Sequence, residues 1–67
     1  MSVAKVTEIS ASSPTSFEDA IQKGIQRADK TLDEVQGAGI SEMKVAVENG
    51  EVTAFRVNMK VTFILKG

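Results

Sequence analysis

Between Glu51 and Lys66 the side chains alternate with a single break, and that alternation constrains the whole chain. Thr53, Phe55, Val57, Met59, Val61, Phe63 and Leu65 fall on one face of an extended strand. Arg56, Asn58, Lys60, Thr62 and Lys66 fall on the other, with Ile64 the apolar exception. Strand side chains point alternately to opposite faces, so the pattern predicts a sheet with one buried face. Sixteen residues at about 3.3 Å each reach roughly 50 Å. That is long for a chain of 67 residues, and it implies a protein that does not work alone.

The size of the chain points the same way. Residues 1–67 give room for one domain. A chain this short buries only about 60% of the surface its unfolded form exposes. Small domains usually add a disulfide, a metal or a partner subunit. Cys is absent, which excludes disulfides and zinc thiolate sites. His is absent too, which removes the commonest transition-metal ligand and the commonest general base. Oligomerisation is what remains, with good packing. The net charge is −1, with acids and bases mixed along the chain, so no basic patch points to nucleic acid. Met1 to Lys5 carries no apolar run that reads as a signal peptide. No stretch approaches the roughly 20 apolar residues of a membrane span. The expectation is a soluble cytoplasmic protein, with cysteine usage that fits a reducing compartment.

Upstream of the long strand the period changes twice. Val3 to Ser10 is rich in β-branched residues and predicts a first strand. Neither of its faces is cleanly apolar, as expected of an edge strand or one at a subunit contact. Ala11 to Ser16 reads as a loop that opens a helix. Thr15 with Glu18 three residues on forms a capping-box pattern, and Ser13-Pro14 is a competing start. From Phe17 to Val35 the apolar residues Phe17, Ala20, Ile21, Gly24, Ile25, Ala28, Leu32 and Val35 make one helical stripe. Glu18 and Asp19 suit the helix N-terminus; Asp33 and Glu34 in the last turn do not suit the C-terminus. Gly24 costs roughly 1 kcal/mol against Ala in a helix, which a close backbone approach would explain. Gln36 to Gly39 is expected to end the helix, with Gly37 or Gly39 as its left-handed cap. Ile40 to Glu48 predicts the second strand. Ile40 is out of phase with Met43, Val45 and Val47, and a bulge near Ser41–Glu42 would repair the register. Asn49-Gly50 is the strongest short hairpin signal. The fold class is therefore α+β: β-α-β-β, a three-stranded antiparallel sheet with one helix lying on it.

These residues in this order resemble the dodecin family. Lys5-Val6 with Ile9, and then Ser12 to Phe17 with Glu18, Ala20 and Ile21, are similar to the family's first strand and helix start. Arg27-Ala28 with Thr31-Leu32 is similar to its R-A-x-x-T-hydrophobic helix core. Asn49-Gly50, Phe55-Arg56-Val57 and Met59-Lys60-Val61 with Phe63 are similar to its final hairpin. The resemblance covers nearly the whole chain. It implies a sheet wrapped on one helix, assembled into a hollow homododecamer that binds and stores flavin, as riboflavin, lumichrome or a flavin nucleotide such as FMN.

Three positions matter to that expectation. Flavin-binding dodecins stack the ring on a tryptophan just after the helix; here that position is Gly37, and the chain has no Trp or Tyr. They place a glutamine after the aromatic of the last strand; here it is Arg56, after Phe55. An acid often faces the ligand's sugar-alcohol chain; here it is Glu42. Gly37, Glu42 and Arg56 are thus the candidate cofactor-binding residues, two of them changed from the flavin-binding pattern. Arginine donates only and cannot reproduce the acceptor half of a glutamine's pairing. It does suit phosphate through its bidentate fork. The plainer readings are a surface ion pair for Arg56, a solvated strand residue for Glu42 and a helix cap for Gly37. Carboxylates at Glu8, Asp19, Asp33, Glu34 and Glu48 lack the spacing of a calcium loop, so a divalent cation would need a site between subunits. No nucleophile sits beside a plausible base, and no phosphate-loop motif occurs, so no catalytic residue and no enzyme is expected. The readings that stand are a dodecin-type flavin store with an altered pocket, a shell of the same kind that binds a divalent cation or a phosphate-bearing ligand or is purely structural, and a small interaction module that pairs sheet edges.

Overall fold

The computed structural model describes residues 3–32 and 34–65. In chain order they form β1 (Ala4–Ser13), α1 (Phe17–Asp29), β2 (Val35–Glu48) and β3 (Glu51–Ile64). The three strands make one antiparallel sheet in the order β1-β3-β2. β3 is the central strand, which is why it carries the cleanest alternation. Its Val57, Met59 and Val61 are fully buried beneath α1 together with Ala20, and Phe55 and Phe63 are half-buried. β1 is an edge strand, as its mixed faces predict. Lys66, placed on the polar face from sequence, lies outside the described residues.

The helix lies flat on the sheet because its inward side is made of small residues. Ala20, Gly24 and Ala28 are its buried positions. A Cβ built on Gly24 would come within 2.5 Å of the Met59 Cε and 3.0 Å of the Ala11 Cβ. Met59 is itself fully buried, so its flexible end would have to repack to admit a methyl there. The glycine expected to mark a close backbone approach does mark one, between α1 and the β1–β3 pair. At the helix start the rings of Phe17 and Phe55 meet edge to face, 5.1 Å apart at 77°, which ties the first turn to β3.

Both ends of the helix differ from the sequence expectation. The cap is Ser16, not Thr15: Ser16 is extended (φ −168, ψ 165) and its hydroxyl accepts from the Asp19 amide at 3.0 Å. The reason is that β1 runs on to Ser13 and leaves three residues for the turn. Ser13, 1% exposed, closes that turn. Its hydroxyl donates to Asp19 Oδ2 at 2.6 Å and accepts from the Thr15 amide at 3.0 Å. At the other end the helix stops at Asp29, not Val35. The amides of Lys30 and Thr31 turn to carbonyls three residues back, at 3.3 and 3.1 Å, a tightening usual in a last turn. Glu34 then takes a left-handed conformation, φ 39, and β2 begins. Leu32 and Val35 still pack against the core, which is how a turn and a strand start continue an apparently helical stripe. Asp33 lies outside the described residues. Gly37 and Gly39 cap nothing; both sit within β2.

The expected bulge in β2 is present. Ile40 pairs with Met59, the register shifts, and Glu42 pairs with Asn58. One extra residue, Ser41, returns Met43 and Val45 to the helix side shared by Ile40, because they pair with Val57 and Phe55. Asn49 (φ 52) and Gly50 (φ 78) are both left-handed, as a two-residue hairpin of type I′ requires. The molecule measures 52 × 19 × 13 Å, while the 13 residues of α1 span only about 20 Å. Much of the hairpin is uncovered: Ile40, Met43, Val45, Val47 and Val52 are 40–60% exposed.

Two outcomes follow for stability. Ser16→Ala is expected to cost about 1 kcal/mol and Thr15→Ala close to nothing, by denaturant midpoint; a larger loss at Thr15 would restore the capping-box reading. Asp19 has its pKa lowered from 3.8, first by the Ser13 hydroxyl, then by the Lys23 ammonium, against a smaller desolvation effect. A lowered folded-state pKa stabilises fully above the unfolded value and is lost as pH falls through the folded one. The stability gap between wild type and Asp19→Asn should therefore hold at neutral pH and close as the pH drops below 3.8. A gap that widens in acid would show that the carboxylate is not the form held.

Candidate functional site

The sheet face away from the helix is polar, and its centre is built by register. β3 lies between both neighbours, so each outward side chain on it meets one residue from either side. Ser12 of β1 and Lys44 of β2 flank Arg56; Ser10 and Glu42 flank Asn58. Together with Ala11 these residues line a concavity of about 420 Å³. The bulge at Ser41 is what puts Glu42 on this face, opposite Asn58.

The row through Asn58 is closed on itself. Ser10 Oγ donates to Asn58 Oδ1. Asn58 Nδ2 donates to Glu42 Oε1 at 2.9 Å, and Lys44 Nζ lies 3.4 Å from the same oxygen. Ser41 Oγ donates to the Asn58 carbonyl at 3.1 Å, pinning the bulge. The row through Arg56 is open. The Arg56 guanidinium makes no hydrogen bond or ion pair among the described residues. It stands directly opposite Lys44, and like charges at that cross-strand spacing repel. The concavity thus holds two cations and one carboxylate, and the carboxylate is already engaged by Lys44 and Asn58.

Of the three residues singled out from sequence, the structure brings Glu42 and Arg56 together and leaves Gly37 apart. Gly37 pairs with Thr62, six residues along β3 from Arg56, or roughly 20 Å. Nothing lies within 4 Å of a Cβ built there. Sequence reading missed Ser10, Ser12, Lys44 and Asn58. Asn58 was visible as an outward residue of the alternating strand; its neighbours depend on register, which the sequence does not carry. Among the described residues no three His, Cys, Asp or Glu side chains gather closely enough to hold a metal ion, and no helix is long and apolar enough to cross a membrane.

Residues 3–66 match the Dodecin family model. The chain is 35% identical to a calcium dodecin of Mycobacterium tuberculosis over 66 residues, covering 98% of this chain and 93% of that one. The solved structure of that calcium dodecin, described as a calcium-chelating antigen with a novel calcium-binding site, superposes with a TM-score of 0.82 at 34% identity, over 96% of this chain and 91% of that one. A dodecin from Streptomyces davaonensis superposes with a TM-score of 0.94 at 32% identity, covering 98% and 97% of the two chains. The β-α-β-β order and the three-stranded antiparallel sheet are those of these structures. The chain belongs to the dodecin family.

Proposed function

We propose that this chain is the subunit of a cytoplasmic homododecameric shell, a binding protein rather than an enzyme. Its site is the concavity at Arg56, and its ligand carries a phosphate. The observation that supports this reading most is the uncommitted Arg56 guanidinium facing Lys44. Lys44 is balanced by Glu42, so the charge left over at this cross-strand pair is that of Arg56, and an anion there would also relieve its repulsion with Lys44. A phosphate accepts two parallel hydrogen bonds from the arginine fork, with the Lys44 charge and the Ser12 hydroxyl on either flank. Glu42 lines the same concavity, with its charge engaged by Asn58 and Lys44. Assembly is supported by the uncovered hairpin and the short row of core residues, because association buries apolar surface that α1 does not reach.

Flavin storage in the stacked manner is less well supported. A ring on Gly37 forgoes the roughly 0.5–1.5 kcal/mol of aromatic stacking, and Arg56 offers no acceptor to the ring edge. A second reading, a divalent cation, is favoured by the 35% identical calcium dodecin. Among the described residues Glu42 is the one carboxylate lining the concavity, so a hard cation with six or more oxygen ligands would need carboxylates from other subunits.

Native mass spectrometry and calorimetry with riboflavin, FMN, inorganic phosphate and calcium separate the readings. The expected result is a twelve-subunit mass that ignores riboflavin and binds FMN in competition with inorganic phosphate. Arg56→Ala should weaken that binding roughly tenfold or more, the worth of a charge-assisted pair. Binding of riboflavin at one per subunit would return the protein to flavin storage; binding of calcium alone would establish the cation reading. Gly37→Trp with Arg56→Gln should raise riboflavin affinity by about tenfold. No rise would mean that these two positions do not form the ring pocket.

A further inference from the structure

The hairpin tip and the cleft beside the helix are complementary in both polarity and charge. The cleft lies between α1 and β1 and encloses about 480 Å³. Ile9, Ala11, Gly24 and Ala28 give it an apolar floor, and Lys23 and Arg27 stand over it from the helix. Lys23 is paired with Asp19 at 3.1 Å. Arg27 makes no hydrogen bond or ion pair through its side chain among the described residues. Among the described residues β1, the strand flanking the cleft, pairs with β3 alone, which leaves its other edge open.

The tip has the opposite charge. Glu48 and Glu51 pair directly across the hairpin and both are exposed, an arrangement that destabilises a lone hairpin. Beside them Val47 and Val52 are 60% and 49% exposed. Phe17 at the start of α1 packs on Phe55 and Gly24 faces Met59. The helix therefore runs from Phe55 away from the turn, and residues 47–52 project beyond it. They cannot reach the cleft of their own chain.

We infer that the Glu48–Glu51 hairpin tip of one copy docks in the α1–β1 cleft of a second copy, with its two valines on the apolar floor and its two carboxylates at Arg27. The arrangement answers two unsatisfied features at once: repulsion between the paired glutamates and an arginine with no partner. It rests on the homo-oligomer reading above and goes beyond it by naming the two surfaces that meet.

Charge reversal tests it. Arg27→Glu, the double variant Glu48→Lys with Glu51→Lys, and the triple variant combining them are compared with wild type by native mass spectrometry across a dilution series. Circular dichroism confirms that each is folded. Arg27→Glu and the double variant should raise the concentration at which half the assembly dissociates by at least about tenfold, since the contact recurs at every subunit. The triple variant should recover the wild-type value. Assemblies that dissociate alike in all four proteins overturn the docking while leaving the oligomer intact. Loss in Arg27→Glu without recovery in the triple variant also overturns it and gives Arg27 another partner. A monomeric wild type would instead remove the oligomer reading itself.

Discussion

The structure depends on how closely α1 approaches the sheet. Val57, Met59 and Val61 of the central strand are sealed by a helix whose contact side is Ala20, Gly24 and Ala28. Small residues allow the helix backbone near the strands, and dispersion contacts then come from the sheet's large side chains. Gly24 is the tightest point, since an added methyl would meet both Met59 and Ala11. Any gain in helix propensity there would be set against overpacking of about 1–3 kcal/mol. The closeness has a consequence. A narrow helix lying over β1 and β3 cannot also cover β2, so Ile40, Met43 and Val45 stay uncovered on the same side of the sheet.

The extra residue at Ser41, one of three register shifts between β2 and β3, links fold and site. A strand shifted by one residue shows its other face. Ser41 restores the phase, and in doing so it sets Met43 and Val45 on the helix side and Glu42 and Lys44 on the polar side. Its hydroxyl, bonded to the Asn58 carbonyl at 3.1 Å, holds the irregularity beside the residue that orients Glu42. The concavity is therefore built on central sheet rather than on a loop. Its side chains are placed by ladder hydrogen bonds, and the closed Ser10–Asn58–Glu42 row fixes what surrounds the open Arg56.

What could be read in the sequence follows from how local each signal is. The alternation of β3, the Asn49-Gly50 turn, the bulge and the meaning of Gly24 are consequences of side-chain period or backbone conformation, and all appear in the structure. The helix end was not legible. Leu32 and Val35 satisfy a helical spacing while packing on the core from a turn and a strand, and the residue that reverses the chain is Glu34, not a glycine. The cap moved by one residue because β1 is longer than its β-branched run, held to Ser13 by pairing with β3. For the site, Glu42 and Arg56 were legible as residues but not as neighbours. Gapless counting from Arg27-Ala28 sets Gly37 just after the helix; in the structure it lies near the start of β2, six residue pairs along the sheet from Arg56.

The charges of the sheet show why a lone subunit is incomplete. Among the described residues two like-charged cross-strand pairs occur, Lys44 opposite Arg56 and Glu48 opposite Glu51, and each is unfavourable for an isolated chain. They carry opposite signs and lie at different distances from the helix, so neither relieves the other within one subunit. Salt screens exposed charges over about 10 Å at 0.1 M, which softens the repulsion; Lys44 already has Glu42 beside it, and Arg56 is the member of the first pair that still lacks a counter-charge among the described residues. A small anion is the smallest species that satisfies the first pair, because the fork of Arg56 and the ammonium of Lys44 converge on one concavity. The second lies at the far end of an uncovered hairpin with exposed valines beside it. A small cation would answer its charge and leave that apolar surface in water; a protein surface with both an arginine and an apolar floor answers both. The polar face therefore fits a ligand and the hairpin end fits a subunit, and the division follows from which part of the sheet the helix leaves bare.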